Sequence, residues 1–193
     1  GTSLFFLLGI SWQWSLTNFA QEDYVLVETM EQVSQKDLII KQNKPQKREV
    51  KGIYLTAYSA GSAKKIDSII DLIESTELNA IIIDIKDYSG FVLYDSNVEL
   101  VDELGLDTGR IKDVAELIEK LHEHDIYVIA RQTVFQDPIL AGRKTEFAIK
   151  SKAGGLWRDR NGLAWVDPTN KEVWNYNVEI AKEAIGFGFD EIN

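Results

Sequence analysis

Two hydrophobic periods take turns along residues 50–193. Apolar runs over residues 52–58, 80–86 and 126–134, and from Phe189 onward, predict strands. Ala80-Ile81-Ile82-Ile83 is near-continuous, as expected for a parallel strand buried on both faces. Ile66, Ile69, Ile70 and Ile73 share one face of a helix that Ser62 can cap. Ile111, Val114, Leu117, Ile118 and Leu121 repeat the helical spacing. Thr169-Asn170-Lys171-Glu172 reads as a capping box, opening a helix that carries Val173, Ile180, Ala181 and Ala184 and stops at Gly186 and Gly188. The order is strand, helix, strand, helix, strand, long loop, helix, strand, which implies a parallel sheet with right-handed crossovers.

Such an α/β order suits either an open doubly wound sheet or the N-terminal half of a (β/α)8 TIM barrel. Ser59-Ala60-Gly61-Ser62, after strand one, has neither the Gly-rich dinucleotide pattern nor a phosphate loop. Alternation of side chains then separates two faces. Ile53, Leu55, Ala57, Ile81, Ile83, Ile85, Val128 and Ala130 suit a helix-covered face. Tyr54, Thr56, Tyr58, Ile82, Asp84, Lys86, Arg131, Thr133, Glu191 and Asn193 fall opposite. That second face turns polar toward the C-terminal strand ends, where barrel active sites are built. The expectation is a half-barrel, cut just after strand four begins.

The first residues change the picture of organisation. Ser3-Leu4-Phe5-Phe6-Leu7-Leu8-Gly9-Ile10 is too short for a membrane span but has the length of a signal-peptide core. Residues 1–20 therefore read as a signal-like or anchor segment whose start is missing, with a buried core segment as the alternative. Residues 21–49 read as a polar linker, and residues 50–193 as the partial barrel. This start implies a secreted or cell-surface protein, possible cell-surface association included.

Composition removes several chemistries. The 193 residues carry 31 acidic and 21 basic side chains, a net charge of −10, which excludes a general nucleic-acid binder. With no cysteine there is no thiolate metal site, disulfide or cysteine nucleophile. His122 and His124 are the two histidines and sit two apart on a helix, facing different ways, so no metal centre and no cofactor is expected.

Candidate chemistry gathers at Asp84, Lys86 and Asp87, where a buried carboxylate beside an ammonium is either an acid–base pair or a structural ion pair. Arg131 carries the same two readings. The long segment 135–168 holds Asp137, Trp157, Trp165 and Asp167. Its tryptophans suit either sugar stacking or a local core under the loop. If the polar face is a site floor, Tyr54, Asp84, Lys86 and Arg131 meet there, with Thr56 and Glu191 lower down.

Six motifs also resemble one family. They are Val50-Lys51-Gly52-Ile53-Tyr54-Leu55-Thr56-Ala57-Tyr58, Glu77-Leu78-Asn79-Ala80-Ile81-Ile82-Ile83-Asp84-Ile85-Lys86-Asp87, Val134-Phe135-Gln136-Asp137-Pro138, Gly154-Gly155-Leu156-Trp157-Arg158-Asp159, Gly162-Leu163-Ala164-Trp165-Val166-Asp167-Pro168 and Gly188-Phe189-Asp190-Glu191-Ile192. In this order they resemble the bacterial putative glycosyl hydrolase domain family. The resemblance implies a glycoside-hydrolase-type TIM barrel about twice this length. It also implies a nucleophilic Asp in a Phe-Asp-Tyr-Ile-Arg-Phe-Pro continuation beyond Asn193. The sequence departs from the family at Asn193, often Gln, and at Gln136, where Lys-Asp-Pro is common.

Two functions stay open. One is a glycoside hydrolase acting on a polysaccharide or cell-wall glycan, with Asp84 and Glu191 as catalytic carboxylates. Tyr54, Lys86, Asp87, Arg131, Asp137, Trp157, Trp165 and Asp167 would then bind the carbohydrate. The other is a non-catalytic carbohydrate- or cell-wall-binding domain on the same scaffold.

Overall fold

The computed structural model describes residues 48–193. The signal-like segment 1–20 and nearly all of the linker 21–49 lie outside the described residues. The strands are β1 (Gly52–Leu55), β2 (Ala80–Lys86), β3 (Val92–Tyr94), β4 (Asp107–Ile111), β5 (Tyr127–Gln132) and β6 (Glu191–Ile192). The helices are α1 (Ala57–Ala60), α2 (Ala63–Glu74), α3 (Glu99–Leu104), α4 (Val114–Glu123), α5 (Pro138–Arg143) and α6 (Lys171–Gly186), with a 3₁₀ turn at Thr145–Phe147.

The fold is mixed α/β with a mainly parallel sheet. β1, β2, β5 and β6 lie side by side in that order, all parallel. β3 and β4 form an excursion: β4 pairs parallel with β3, and β3 pairs antiparallel with the last residue of β2, Lys86↔Val92. Helices cover one face of the sheet. Ile81, Ile83, Val128 and Ala130 meet Ile66, Ile69, Ile70 and Ile73 of α2, Ile118 and Leu121 of α4, and Ile180 and Ala184 of α6 in one core. The opposite face carries Tyr54, Arg131 and Glu191 and is exposed.

The structure corrects several sequence expectations. Strand one stops at Leu55, and Tyr58 lies in the single helical turn α1, which Thr56 caps by accepting from the Ser59 N–H. Thr56 therefore sits above Tyr54 at the strand's C-terminal end, not lower on the floor. Ile111 ends β4 instead of opening a helix; Asp113 caps α4, accepting from the Glu116 N–H at 2.9 Å. The cap of α6 is Asn170, which accepts from Glu172 N–H at 2.8 Å, while Thr169 donates its hydroxyl to Asp167. Residues 135–168 are ordered by α5, the 3₁₀ turn and antiparallel bridges Ala148↔Val166, Lys150↔Leu156 and Arg158↔Ala164.

The largest correction concerns Lys86. Asp84 pairs with Arg131, but Lys86 pairs with Gln132, so β2 spends two residues where β5 spends one. This bulge breaks the alternation. Gln132 is on the helix side, donating to Asn177 of α6, and Lys86 goes with it.

Candidate functional site

Register builds the site. Parallel pairing sets Tyr54 beside Ile82 and Asp84 beside Arg131, all on the exposed face at the C-terminal ends of three strands. From Tyr54 the phenol reaches upward and donates to Asp84 Oδ2. Arg131 NH1 donates to Asp84 Oδ1 at 2.7 Å. Asp84 is only 5 % exposed although both partners are open to solvent. The hydrogen bond to Asp84 is the main reason the Tyr54 phenol is raised above its ordinary value, with burial and the Asp84 charge adding to it. The same carboxylate raises Arg131. Both donors keep their protons, and both Asp84 oxygens are occupied as acceptors.

Glu191 stands on the same face but deeper. It pairs with Ile129, two residues below Arg131, and its Oε2 accepts from the Tyr127 hydroxyl at 3.3 Å. Two strand spacings and one two-residue step set its Cα about 12 Å from that of Asp84 and one level lower on the same face.

Lys86 and Asp137 are brought together, but behind the sheet. They form an ion pair of 2.8 Å with both side chains fully buried. The ammonium also donates to the Thr133 carbonyl at 2.9 Å and lies 5.6 Å from the Tyr176 ring centre. Burial lowers the Lys86 pKa below the usual lysine value, and Asp137 works against that. Asp137 caps α5 through the Leu140 N–H at 2.9 Å. Gly90, at φ +90°, presses against it: an added Cβ would fall 2.1 Å from Asp137 Oδ1. Neither residue reaches the open face.

Asp87 lies at the rim. Its Oδ1 accepts from Ser89 N–H at 2.9 Å, and its Oδ2 faces Arg110 NH1 at 3.8 Å. Arg110 in turn stacks on Tyr58, 4.4 Å from the ring centre. Sequence reasoning missed Arg110, since nothing in Asp107-Thr108-Gly109-Arg110 reads as a strand, and it put Tyr58 in strand one, whereas Tyr58 lies in the helical turn after it. Trp157 is 42 % exposed. Trp165 is half-buried and donates its indole N–H to Asp159 Oδ2 at 3.1 Å. Hydrogen bonds from Leu163 N–H and then Trp165 hold the Asp159 carboxyl below the usual range. Asp167 is likewise lowered by Thr169, first through its N–H and then through its hydroxyl. Asp159 and Asp167 therefore tie the long segment to itself. His122 pairs with Asp190 at 2.9 Å and His124 with Glu74 at 2.6 Å, on separate sides of α4.

Two cavities avoid this face. One of about 760 Å³ lies between α3 and α6, lined by Val98, Phe147 and Glu183 among others. Another of about 430 Å³ lies between α6 and the ends of β5 and β6. Neither contains a sequence-predicted site residue.

Residues 52–193 match a family described as putative glycosyl hydrolase domain. A hypothetical protein from Ruminiclostridium thermocellum is 44% identical, with TM-score 0.70; the match covers 72% of this chain and 73% of that one. Flavobacterium johnsoniae chitobiase is 13% identical at TM-score 0.56, over 74% of this chain and 22% of its own. The alpha-galactosidase from Lactobacillus brevis is 13% identical at TM-score 0.53, over 75% of this chain and 20% of its own. The chain thus spans about a fifth of those two glycoside hydrolases, and the likeness to them is one of fold alone. No curated protein matches the chain.

Proposed function

This chain belongs to the putative glycosyl hydrolase domain family, and from that membership we propose that it is part of a glycoside hydrolase acting on a polysaccharide or cell-wall glycan. In this reading β1, β2, β5 and β6 are four consecutive staves of a (β/α)8 barrel, and the exposed face of the sheet is its inner wall. The fold likeness to chitobiase and alpha-galactosidase supports the barrel. The observation that carries the site is the carboxylate of Asp84, clasped by Tyr54 and Arg131 at the C-terminal ends of the strands.

Glycosidic cleavage needs a proton donor on one side of the bond and a base, nucleophile or anionic stabiliser on the other. Asp84 accepts at both oxygens, from Tyr54 and from Arg131, and that hydrogen-bond arrangement suits the second role. Its charge faces the cation that develops at the anomeric carbon, and Arg131 and Tyr54 fix its orientation before the sugar arrives. The general acid comes from a carboxyl outside this cluster. Glu191 holds the floor beneath it. Residues 1–20 support placing the protein outside the cytoplasm, and fractionation of the host cell tests that placement.

The test uses Asp84→Ala on aryl glycosides of N-acetylglucosamine, glucose and galactose. Wild-type protein should release the aryl group from at least one, the variant should lose most of that rate, and added azide should restore part of it as a glycosyl azide. Full activity in the variant would remove Asp84 from the chemistry. Sugar binding by a wild-type protein that cleaves nothing would favour the non-catalytic carbohydrate-binding barrel.

A further inference from the structure

We propose that Tyr58, backed by Arg110, is the platform of a second sugar subsite beside Asp84, so that the ligand is a neutral pyranoside oligosaccharide held across more than one unit. This rests on the reading of the Asp84 face as a carbohydrate site.

Tyr58 is 70 % exposed, yet one of its faces is held by Arg110. It sits in α1, whose first turn is capped by Thr56. That turn is seated on β4 at Gly61, where an added Cβ would fall 2.3 Å from the Arg110 carbonyl oxygen. From the same residue the guanidinium reaches one ring face at 4.4 Å, leaving the other face to solvent. A rigid aromatic face with one side open is what the C–H face of a pyranose packs against, because the ring face is electron-rich and the C–H bonds are weakly positive.

Polar groups for the hydroxyls stand beside it. Arg110 and Asp87 face one another at 3.8 Å, beyond hydrogen-bond length, so neither spends its full bonding capacity on the other. Asp87 follows Asp84 by three residues, so the rim group is at most about 11 Å along the chain from the Asp84 cluster. Tyr54 and Tyr58 are four residues apart, at most about 14 Å along the chain, within reach of a short oligosaccharide. The two carboxylates Asp84 and Asp87 are already matched by Arg131 and Arg110. An acidic sugar would compete with these two carboxylates for the same guanidinium groups, in a protein of net charge −10.

The test is titration calorimetry of the full chain with cellohexaose, chitohexaose, xylohexaose and, as the charged control, hexagalacturonate. At least one neutral hexaose should bind. Tyr58→Ala should weaken it about tenfold or more, the equivalent of one stacking contact, and Tyr58→Trp should restore it, with Tm held in both variants. Binding of no neutral hexaose, an unchanged affinity in Tyr58→Ala, or preference for hexagalacturonate would overturn the proposal. Asp84→Asn separates the two readings. If it leaves cleavage intact while Tyr58→Ala still loses the hexaose, the catalytic reading falls and the subsite stands; the reverse pattern sinks the subsite alone.

Discussion

Arg131 donates to Asp84 across a register pair of neighbouring parallel strands, so the 2.7 Å ion pair is set by the sheet itself. Backbone pairing delivers the two side chains to one level and one face. Little further ordering is needed when a ligand arrives.

The phenol of Tyr54 reports on that clasp. Its pKa is raised chiefly by the hydrogen bond to Asp84, so it should stay protonated at about pH 10, where a free tyrosine is half ionised. Removing the carboxylate charge in Asp84→Asn weakens the bond and the repulsion together. The ultraviolet phenolate signal assigned by a Tyr54→Phe control should then move to lower pH. An unchanged titration would mean that Asp84 does not hold this proton.

Lys86 and Asp137 should behave as structure. Removing one partner leaves a buried charge alone, so Lys86→Met or Asp137→Leu should each cost about 3–5 kcal/mol in denaturant unfolding. The double variant should recover much of that. Because burial lowers Lys86 in the folded state, the unfolded chain binds more protons as pH approaches its ordinary value of 10.5 from below. Stability from this group therefore rises with pH in that window, and the Lys86→Met variant should lack that rise.

Much of this was legible beforehand, for identifiable reasons. The isoleucines of β2 and α2 announce their elements because burial on one or both faces leaves a period that few polar residues interrupt. Tyr54, Asp84 and Arg131 fall on one face because simple alternation holds up to Asp84. Lys86 was placed wrongly because a bulge is a property of pairing between two strands, and one strand's sequence does not show it. β3 is three residues long and β4 has a polar start, too little pattern to register, so Arg110 could not be brought to the rim.

Gly90 and Gly154 make a matched pair, both at φ +90°. Alanine at 154 meets nothing within 4 Å and should cost only the backbone strain, about 1–3 kcal/mol. At 90 the same change also pushes on Asp137, so its loss in a thermal melt should exceed that of Gly154→Ala. Equal losses would show that Asp137 can move aside freely.

The two tryptophans of the long segment should separate. Trp157 is exposed, and Trp157→Ala is expected to lower hexaose affinity with little change in Tm. Trp165 is half-buried with its N–H engaged, so Trp165→Ala should lower stability by about 2–4 kcal/mol. The opposite assignment of effects would move the sugar contact to Trp165.

The bulge in β2 makes the strand answer to two masters within three residues. Asp84 is tuned by what touches the open face, while Lys86 is tuned by the caps and helices behind it. Deleting Ile85 would remove the extra residue and leave Asp84 and Lys86 alternating regularly opposite Arg131 and Gln132, each still on its own face. Anyone redesigning the specificity of this face can therefore vary residue 84 and its neighbours below with a reading frame of two, and must abandon that frame one step later.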